Sequence, residues 1–441
     1  MNGRETVVAA GPSVAPPVLA RWRAARAGTR RFFDETLTPG AYLARPIALR
    51  HPFVFYEGHL AAFGALKLLG EALGRPPLDA ALEKLFERGI DPPAESGATP
   101  AVAWPAREAV LAYVGRADAA VAEALASGAG EAHRDAVFTV LEHEVMHQET
   151  LRYMLHRLPY AEKRAPAGAR APEAASRAIH AGAVRVPAGV ATLGAHKGEI
   201  PFGWDNEFPR TCRMVPAFTI DALPVTNGEF LEFVEAGGYS DPSLWRTGDA
   251  EWLRQQGISH PPFWRRQGGA WFWAGQFGLV PLPPAWPVWV SHAEASAFAR
   301  WKNRRLPTEA EFHRAAFGTP AGPERAFPWG DAAPAPEHGN FGGDRDDPVP
   351  AGSRPAGTSA WGVHELVGNG WEWTSTPFAP FEGFAPMATY PRYSADFFDG
   401  RHYVLKGASP ATPAALVRRT FRNWFQPRYP HVYAKFRCVH P

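Results

Sequence analysis

His143 and His147 stand four residues apart in the run His143-Glu144-Val145-Met146-His147-Gln148-Glu149, inside a stretch whose apolar residues recur every three or four positions. On a helix that spacing puts both imidazoles on one face, one turn apart, where both can reach a single metal ion. Val140, His143, His147, Leu151, Met154 or Leu155, and Leu158 trace the stripe, and Pro159 is positioned to end it. A third nitrogen is available in the run Arg50-His51-Pro52-Phe53-Val54-Phe55-Tyr56-Glu57-Gly58-His59. His59 falls at the start of a predicted helix and can project into a bundle; His51 competes with it.

The same five residues, His143 to His147, also match the helical HExxH pattern of zinc peptidases, in which the glutamate is a general base. A zinc hydrolase is therefore one reading, and a plain pair of polar side chains on an amphipathic helix is another.

The elements that must position these groups fall into two parts. Stretches near 17–36, 58–73, 77–87, 105–126 and 133–158 carry helical periodicity with Pro or Gly between them, which predicts a helical bundle over 17–160. Residues 161–180, rich in Ala, Pro and Arg, read as a linker. From 181 to 441 short β-type runs such as Val184–Val186 and Phe218–Ile220 alternate with turns and many Trp. Helices are predicted at 226–236 and 291–302, capped by Thr226 or Asn227 and by Ser291, and Thr308 with Glu311 forms a capping-box candidate for a third. The fold class is thus multidomain, α followed by α+β.

A chain of 441 residues exceeds one ordinary core. The formal charge of +2 argues against a broad basic face for nucleic acid. Two cysteines, Cys212 and Cys438, make a disulfide framework improbable and fit a reducing cytoplasm. No signal-peptide core stands in the first twenty residues, and no run of about 18 apolar residues suits a bilayer. The expected setting is cytoplasmic, with no membrane and no nucleic-acid partner.

An aromatic run ending in Gly58-His59, then His143–Glu149 on a later helix, then an aromatic-rich C-terminal part resembles the ergothioneine-type sulfoxide synthases (EgtB), with the ovothiol-type (OvoA) and selenoneine-forming (SenA) synthases as close kin. The first part looks like a DinB-like bundle, and the second like the formylglycine-generating-enzyme (sulfatase-modifying factor) fold, a C-type-lectin variant. Six motifs appear in the family's order: Val186–Gly189, Asp205–Pro209, Pro224–Phe230, Arg305–Phe312, Phe327–Asp331 and Gly368–Thr374.

The resemblance implies a non-heme Fe(II) on His59, His143 and His147. Three neutral imidazoles leave open positions for a thiolate, an imidazole substrate and O2, whereas Zn²⁺ has no accessible redox state. Glu144 and Glu149 become groups that orient imidazoles rather than bases. The resemblance places Tyr390 beside bound oxygen, with Tyr393 as the alternative, and Asn423 and Trp424 against the imidazole substrate. Met146 stands where the family often has a substrate-facing Gln.

Phe425-Gln426 replace the acidic residue of enzymes that use γ-glutamylcysteine, and the run before His59 is closer to the ovothiol type. The implied reaction joins a cysteine-type thiol to the imidazole carbon of hercynine with oxidation at sulfur. Histidine as acceptor, or a selenosugar as donor, is the alternative. A formylglycine-generating activity needs an active-site cysteine pair, and Cys212 and Cys438 do not sit in that pattern; a non-catalytic binding protein remains the third class.

Overall fold

The computed structural model describes residues 18–87, 102–128, 132–170 and 182–441. Among the described residues of the first part, five α-helices stand out: α1 (Val18–Arg31), α2 (Phe53–Gly64), α3 (Ala80–Phe86), α4 (Arg107–Ala126) and α5 (Arg134–His156). They pack around Trp22, Phe33, Tyr113, Val121 and Leu151, all buried. A charged knot ties three of them together. Arg26 on α1 donates to Asp118 on α4 at 2.8 Å and to Glu144 on α5 at 3.0 and 3.1 Å.

Helix α2 departs from expectation by starting at Phe53 rather than 58, directly after Pro52. Phe53 to Gly64 is buried on every face, Glu57 and His59 included, so no exposed polar face marks the register there. His59 therefore lies in mid-helix. The preceding Gly58 permits a close approach, because a Cβ there would meet the Phe86 ring at 2.5 Å.

The linker expected over 161–180 is in part docked. Arg164 N donates to Thr36 O at 2.8 Å, and Lys163 Nζ donates to the end-of-helix carbonyls of Leu155 and His156 at 3.2 and 3.1 Å. Carbonyls at a helix C-terminus lack intrahelical partners, and a lysine there satisfies them. Residues 171–180 lie outside the described residues, as does position 17.

The second part contains helices α6 (Asn227–Glu235), α7 (Asp249–Gln256), α8 (His292–Trp301) and α9 (Glu309–Phe317). The three predicted caps form full capping boxes: Thr226 with Glu229, Ser291 with Glu294, and Thr308 with Glu311. Its strands are β1 (Ala183–Val186), β2 (Gly189–Leu193), β3 (Thr211–Val215), β4 (Phe218–Asp221), β5 (Trp264–Gln267), β6 (Ala270–Ala274), β7 (Leu279–Pro281), β8 (Gly370–Pro377), β9 (Tyr403–Ala408), β10 (Asn423–Phe425) and β11 (Ala434–Lys435). The largest sheet runs β10-β9-β8-β11, with only the β8–β11 pair parallel.

Trp204, Trp264, Trp273, Trp286, Trp289, Trp371 and Trp373 are fully buried, which explains the tryptophan content of this part. One continuous apolar cluster runs from Trp22 through Leu151 to Trp371 and Phe436, so the two parts share a core. Polar contacts seal the seam. Glu149 on α5 accepts from Trp371 Nε1 at 2.6 Å, Ser409 Oγ at 2.7 Å and Thr412 Oγ1 at 2.8 Å.

No described helix is long and apolar enough to cross a membrane. Cys212 is exposed and Cys438 buried, and both are free.

Candidate metal centre and cavity

Helices α2 and α5 bring His59, His143 and His147 together, with one ligand atom from each lying within 4.8 Å of the others. The Nε2 atoms of His59 and His143 are 3.3 Å apart, and those of His143 and His147 are 3.1 Å apart. His59 Nδ1 lies 2.7 Å from Phe86 O, so that nitrogen donates and Nε2 keeps its lone pair. The close approach allowed by Gly58 is what brings the Phe86 carbonyl within reach.

Burial holds all three rings neutral. It lowers His59 to about 4, outweighing the hydrogen bond to Phe86 O. Burial, then the neighbouring imidazoles, drives His143 well below its ordinary value. His147 is likewise lowered, by burial and then His59. Neutral imidazoles with converging lone pairs repel unless a cation sits among them, and the neutral form is the one that binds metal. An all-nitrogen donor set suits Fe(II) as well as Zn²⁺, Cu²⁺ or Ni²⁺. The residues present therefore fit a non-heme ferrous ion.

His51 does not join the trio. The Phe55 ring lies between it and His59, stacked on His51 at 4.1 Å and on His59 at 4.9 Å. Phe63, one turn beyond His59 on α2, lies flat on His143, with centroids 3.5 Å apart and 5° between planes.

Glu144 faces away from the rings, toward Arg26 and Thr29. Glu149 is consumed at the seam. Contrary to the expectation that they orient imidazoles, neither does so: their bonds go to other helices and to the second part. In place of a carboxylate, the Phe86 carbonyl orients His59.

Two of the three, His143 and His147, line a cavity of about 250 Å³ between the two parts, and His59 is buried behind them. His143, His147 and Met146 line one side; Tyr390, Tyr393, Asn423 and Trp424 line the other. The Tyr390 ring is 6.4 Å from that of His143 and 5.6 Å from that of Phe63. Tyr393 is set back. It stacks on Trp204 at 3.9 Å, its hydroxyl lies 3.9 Å from Met146 Sδ, and burial raises its phenol well above the ordinary value.

Trp424 stacks on Phe378 at 4.3 Å, and the Asn423 side-chain oxygen accepts from Trp424 N at 2.9 Å, which commits that oxygen. Both belong to β10, whose pairing with β9 fixes their register.

Sequence reasoning missed Arg50, Tyr153, Tyr429 and His402, which also line the cavity. Arg50 Nε donates to Tyr153 OH at 2.9 Å, and its guanidinium lies over the Tyr153 and Tyr429 rings at 5.6 and 5.5 Å. The signal for Arg50 was its place in the Arg50–His59 run; nothing local pointed to the others.

Residues 168–441 match the family model described as the sulfatase-modifying factor enzyme 1-like domain. The hercynine oxygenase of Mycolicibacterium thermoresistibile is 36% identical over 402 residues, covering 89% of this chain and 87% of that one. That of Mycobacterium tuberculosis is 40% identical over 250 residues, 56% of this chain and 58% of that one. Ergothioneine biosynthesis protein 1 of Neurospora crassa is 29% identical over 509 residues, and this chain, matched over 96% of its length, spans 57% of it. With helices carrying three convergent imidazoles ahead of a sulfatase-modifying-factor-type domain, the chain belongs to the hercynine oxygenase family.

Proposed function

We propose that this protein is an Fe(II)- and O2-dependent sulfoxide synthase that joins a cysteine-type thiol to the imidazole carbon of hercynine in ergothioneine-type biosynthesis. One observation carries the reading: three neutral imidazoles converge, and two of them, His143 and His147, line a cavity whose far wall is phenolic and aromatic. The names of the relatives support the acceptor. In this reading residues 17–160 supply the metal ligands and 181–441 the opposing wall.

His59, His143 and His147 would hold the ion, which supplies the one-electron and oxygen chemistry that no side chain here provides. The remaining work falls to the chain's own groups. Tyr390 OH is the proton donor toward the oxygen being reduced, since a phenol keeps its proton near neutral pH. The Trp424 face receives the trimethylammonium group of hercynine. Asn423, with its oxygen committed to Trp424 N, presents Nδ2 as a donor to the imidazole substrate. Met146 and Tyr393 fill the space beneath and exclude water. The cavity holds both substrates side by side, which makes their encounter intramolecular.

The net reaction is ring C–H plus S–H plus O2 giving C–S(=O) plus water. The test is to incubate Fe(II)-loaded protein with O2, hercynine or histidine, and a panel of thiols, and to identify products by mass spectrometry. A hercynine–thiol sulfoxide formed with stoichiometric O2 uptake is expected. Zinc-loaded protein that hydrolyses a substrate, with no thiol-dependent O2 uptake by the iron form, would overturn the reading.

A further inference from the structure

Replacing a ring C–H by C–S requires a base as well as an oxidant. The electron pair of the broken C–H bond returns to the imidazole ring, and its proton must leave. Dioxygen, reduced to the sulfoxide oxygen and water, takes the four electrons lost in forming C–S and oxidising sulfur.

The lining of the cavity offers few acceptors for that proton. Glu149 is saturated by Trp371, Ser409 and Thr412. Arg50 and Arg392 are cations. The ring nitrogens of His143 and His147 belong to the trio, and Tyr393 is held protonated by burial. Among the described lining residues, His402 is the remaining imidazole.

His402 immediately precedes β9, and its side chain is only 10% exposed. Its Nδ1 is 2.9 Å from Asp399 Oδ1, which also accepts from Arg401 N at 2.8 Å. Partial burial pushes the Asp399 carboxyl up, but the bonds from His402 and Arg401 hold it below the usual range. An ionised carboxylate only accepts, so Nδ1 carries the hydrogen and Nε2 is the basic nitrogen. The ring packs edge-on against Phe397 at 5.3 Å, and Phe397 lies 5.5 Å from Trp424 on the same wall. A carboxylate that fixes the tautomer and holds the ring in place is what a general base needs.

We propose that His402, oriented by Asp399, accepts the proton released from the imidazole carbon as the C–S bond forms, directly or through one water. The proposal rests on the hercynine reading above. Asp399 is the positioning residue in this pair.

The test compares wild type, His402→Asn and Asp399→Asn, each iron-loaded, in single turnovers with protiated and ring-deuterated hercynine. Asn at 402 can still donate to Asp399 but cannot accept the proton. Iron content and calorimetric hercynine binding are measured alongside. The expected result is a loss of about 100-fold in adduct formation for His402→Asn, with a primary deuterium isotope effect larger than in wild type and with iron and hercynine retained. Asp399→Asn keeps an acceptor oxygen but loses the charge, and a smaller loss with the same rise in isotope effect is expected.

Wild-type rates in both variants, or slow turnover without a larger isotope effect, would overturn the proposal, as would loss of hercynine binding, which would make His402 a binding residue. Wild type forming no hercynine adduct would instead defeat the functional reading itself.

Discussion

Arg26 and Glu144 form a buried ion pair, with Arg26 Nη1 3.0 and 3.1 Å from the two carboxylate oxygens, and this pair decides how the His143–His147 motif works. Glu144 also accepts from Thr29. Its carboxylate is thus a bundle strut, unlike a peptidase base aimed at a metal-bound water. Glu144→Gln is expected to lower stability by roughly 2–4 kcal/mol, because it leaves Arg26 incompletely paired inside the bundle. Metal content should be kept. Denaturant titration and metal analysis check both, and an undiminished stability with complete loss of activity would favour a hydrolytic glutamate.

The trio predicts a sharp metal dependence. His59→Ala, His143→Ala and His147→Ala should each weaken iron binding by more than about 100-fold, since even outer partners of metal ligands commonly cost 10- to 100-fold. Anaerobic Fe(II) titration measures this, with circular dichroism as the control for fold. His51→Ala should bind iron as wild type does, because Phe55 separates it from the site. Gly58→Ala tests the packing behind His59. The added methyl must displace the Phe86 ring, and with it the carbonyl that fixes the His59 tautomer, so weaker iron binding is expected with all three ligands still in place.

Local chemistry was readable and long-range chemistry was not. The caps at Thr226, Ser291 and Thr308 need only residues three positions apart, and each was visible as written. The pairing of His143 with His147 follows from helix geometry alone. The start of α2 was missed because a helix buried all round has no polar face to mark its register. The same blindness hid His402 and Tyr429, which become wall residues only when the segments around β9 and β10 fold against α5. Family resemblance brought Tyr390 and Trp424 to notice, and the packing shows that Tyr390 lies nearer the His143 ring while Tyr393 sits behind it on Trp204.

Arg418 joins the metal-bearing helix to the opposite wall. It reaches Glu142 on α5 at 2.8 and 3.0 Å and Glu207 at 2.8 Å. Glu207 in turn accepts from Trp204 N at 2.9 Å, and Trp204 carries Tyr393. Arg418→Met strands two buried carboxylates and is expected to cost about 3–5 kcal/mol. Adding Glu142→Gln should restore part of that loss, a coupling that a double-mutant cycle in urea measures. Additive losses would mean that the clamp does not act as a unit.

Glu365 adds a pH dependence of its own. Burial raises its carboxyl to about 7, against the pull of Lys435, Asn369 and Arg437. The folded state therefore holds the proton more tightly than the unfolded chain, whose value is about 4.3. The stability contributed by this group is full below about pH 4 and is lost as pH rises through about 7. Glu365→Gln removes that dependence. The difference in unfolding free energy between variant and wild type should move in the variant's favour from pH 5 to pH 8.5, by at most about 3 kcal/mol. A flat difference across that range would show that Glu365 stays ionised throughout.

Tyr390 and Tyr393 separate chemistry from packing. Tyr390 is half-buried at the cavity edge, its ring 6.4 Å from His143, with Lys67 Nζ 5.4 Å from the ring centre. Tyr393 is buried face to face with Trp204. If the Tyr390 hydroxyl delivers a proton, Tyr390→Phe should lower kcat by roughly 100-fold or more while leaving stability and iron affinity near wild type. Tyr393→Phe deletes only a hydroxyl whose nearest partner is the Met146 sulfur at 3.9 Å, a weak acceptor, so a change in kcat within about threefold is expected. Tyr393→Ala, by contrast, should destabilise by about 3–5 kcal/mol through the cavity it leaves against Trp204. Steady-state O2 uptake and thermal unfolding on the three variants distinguish the roles. A Tyr393→Phe variant slower than Tyr390→Phe would exchange the assignments of the two phenols.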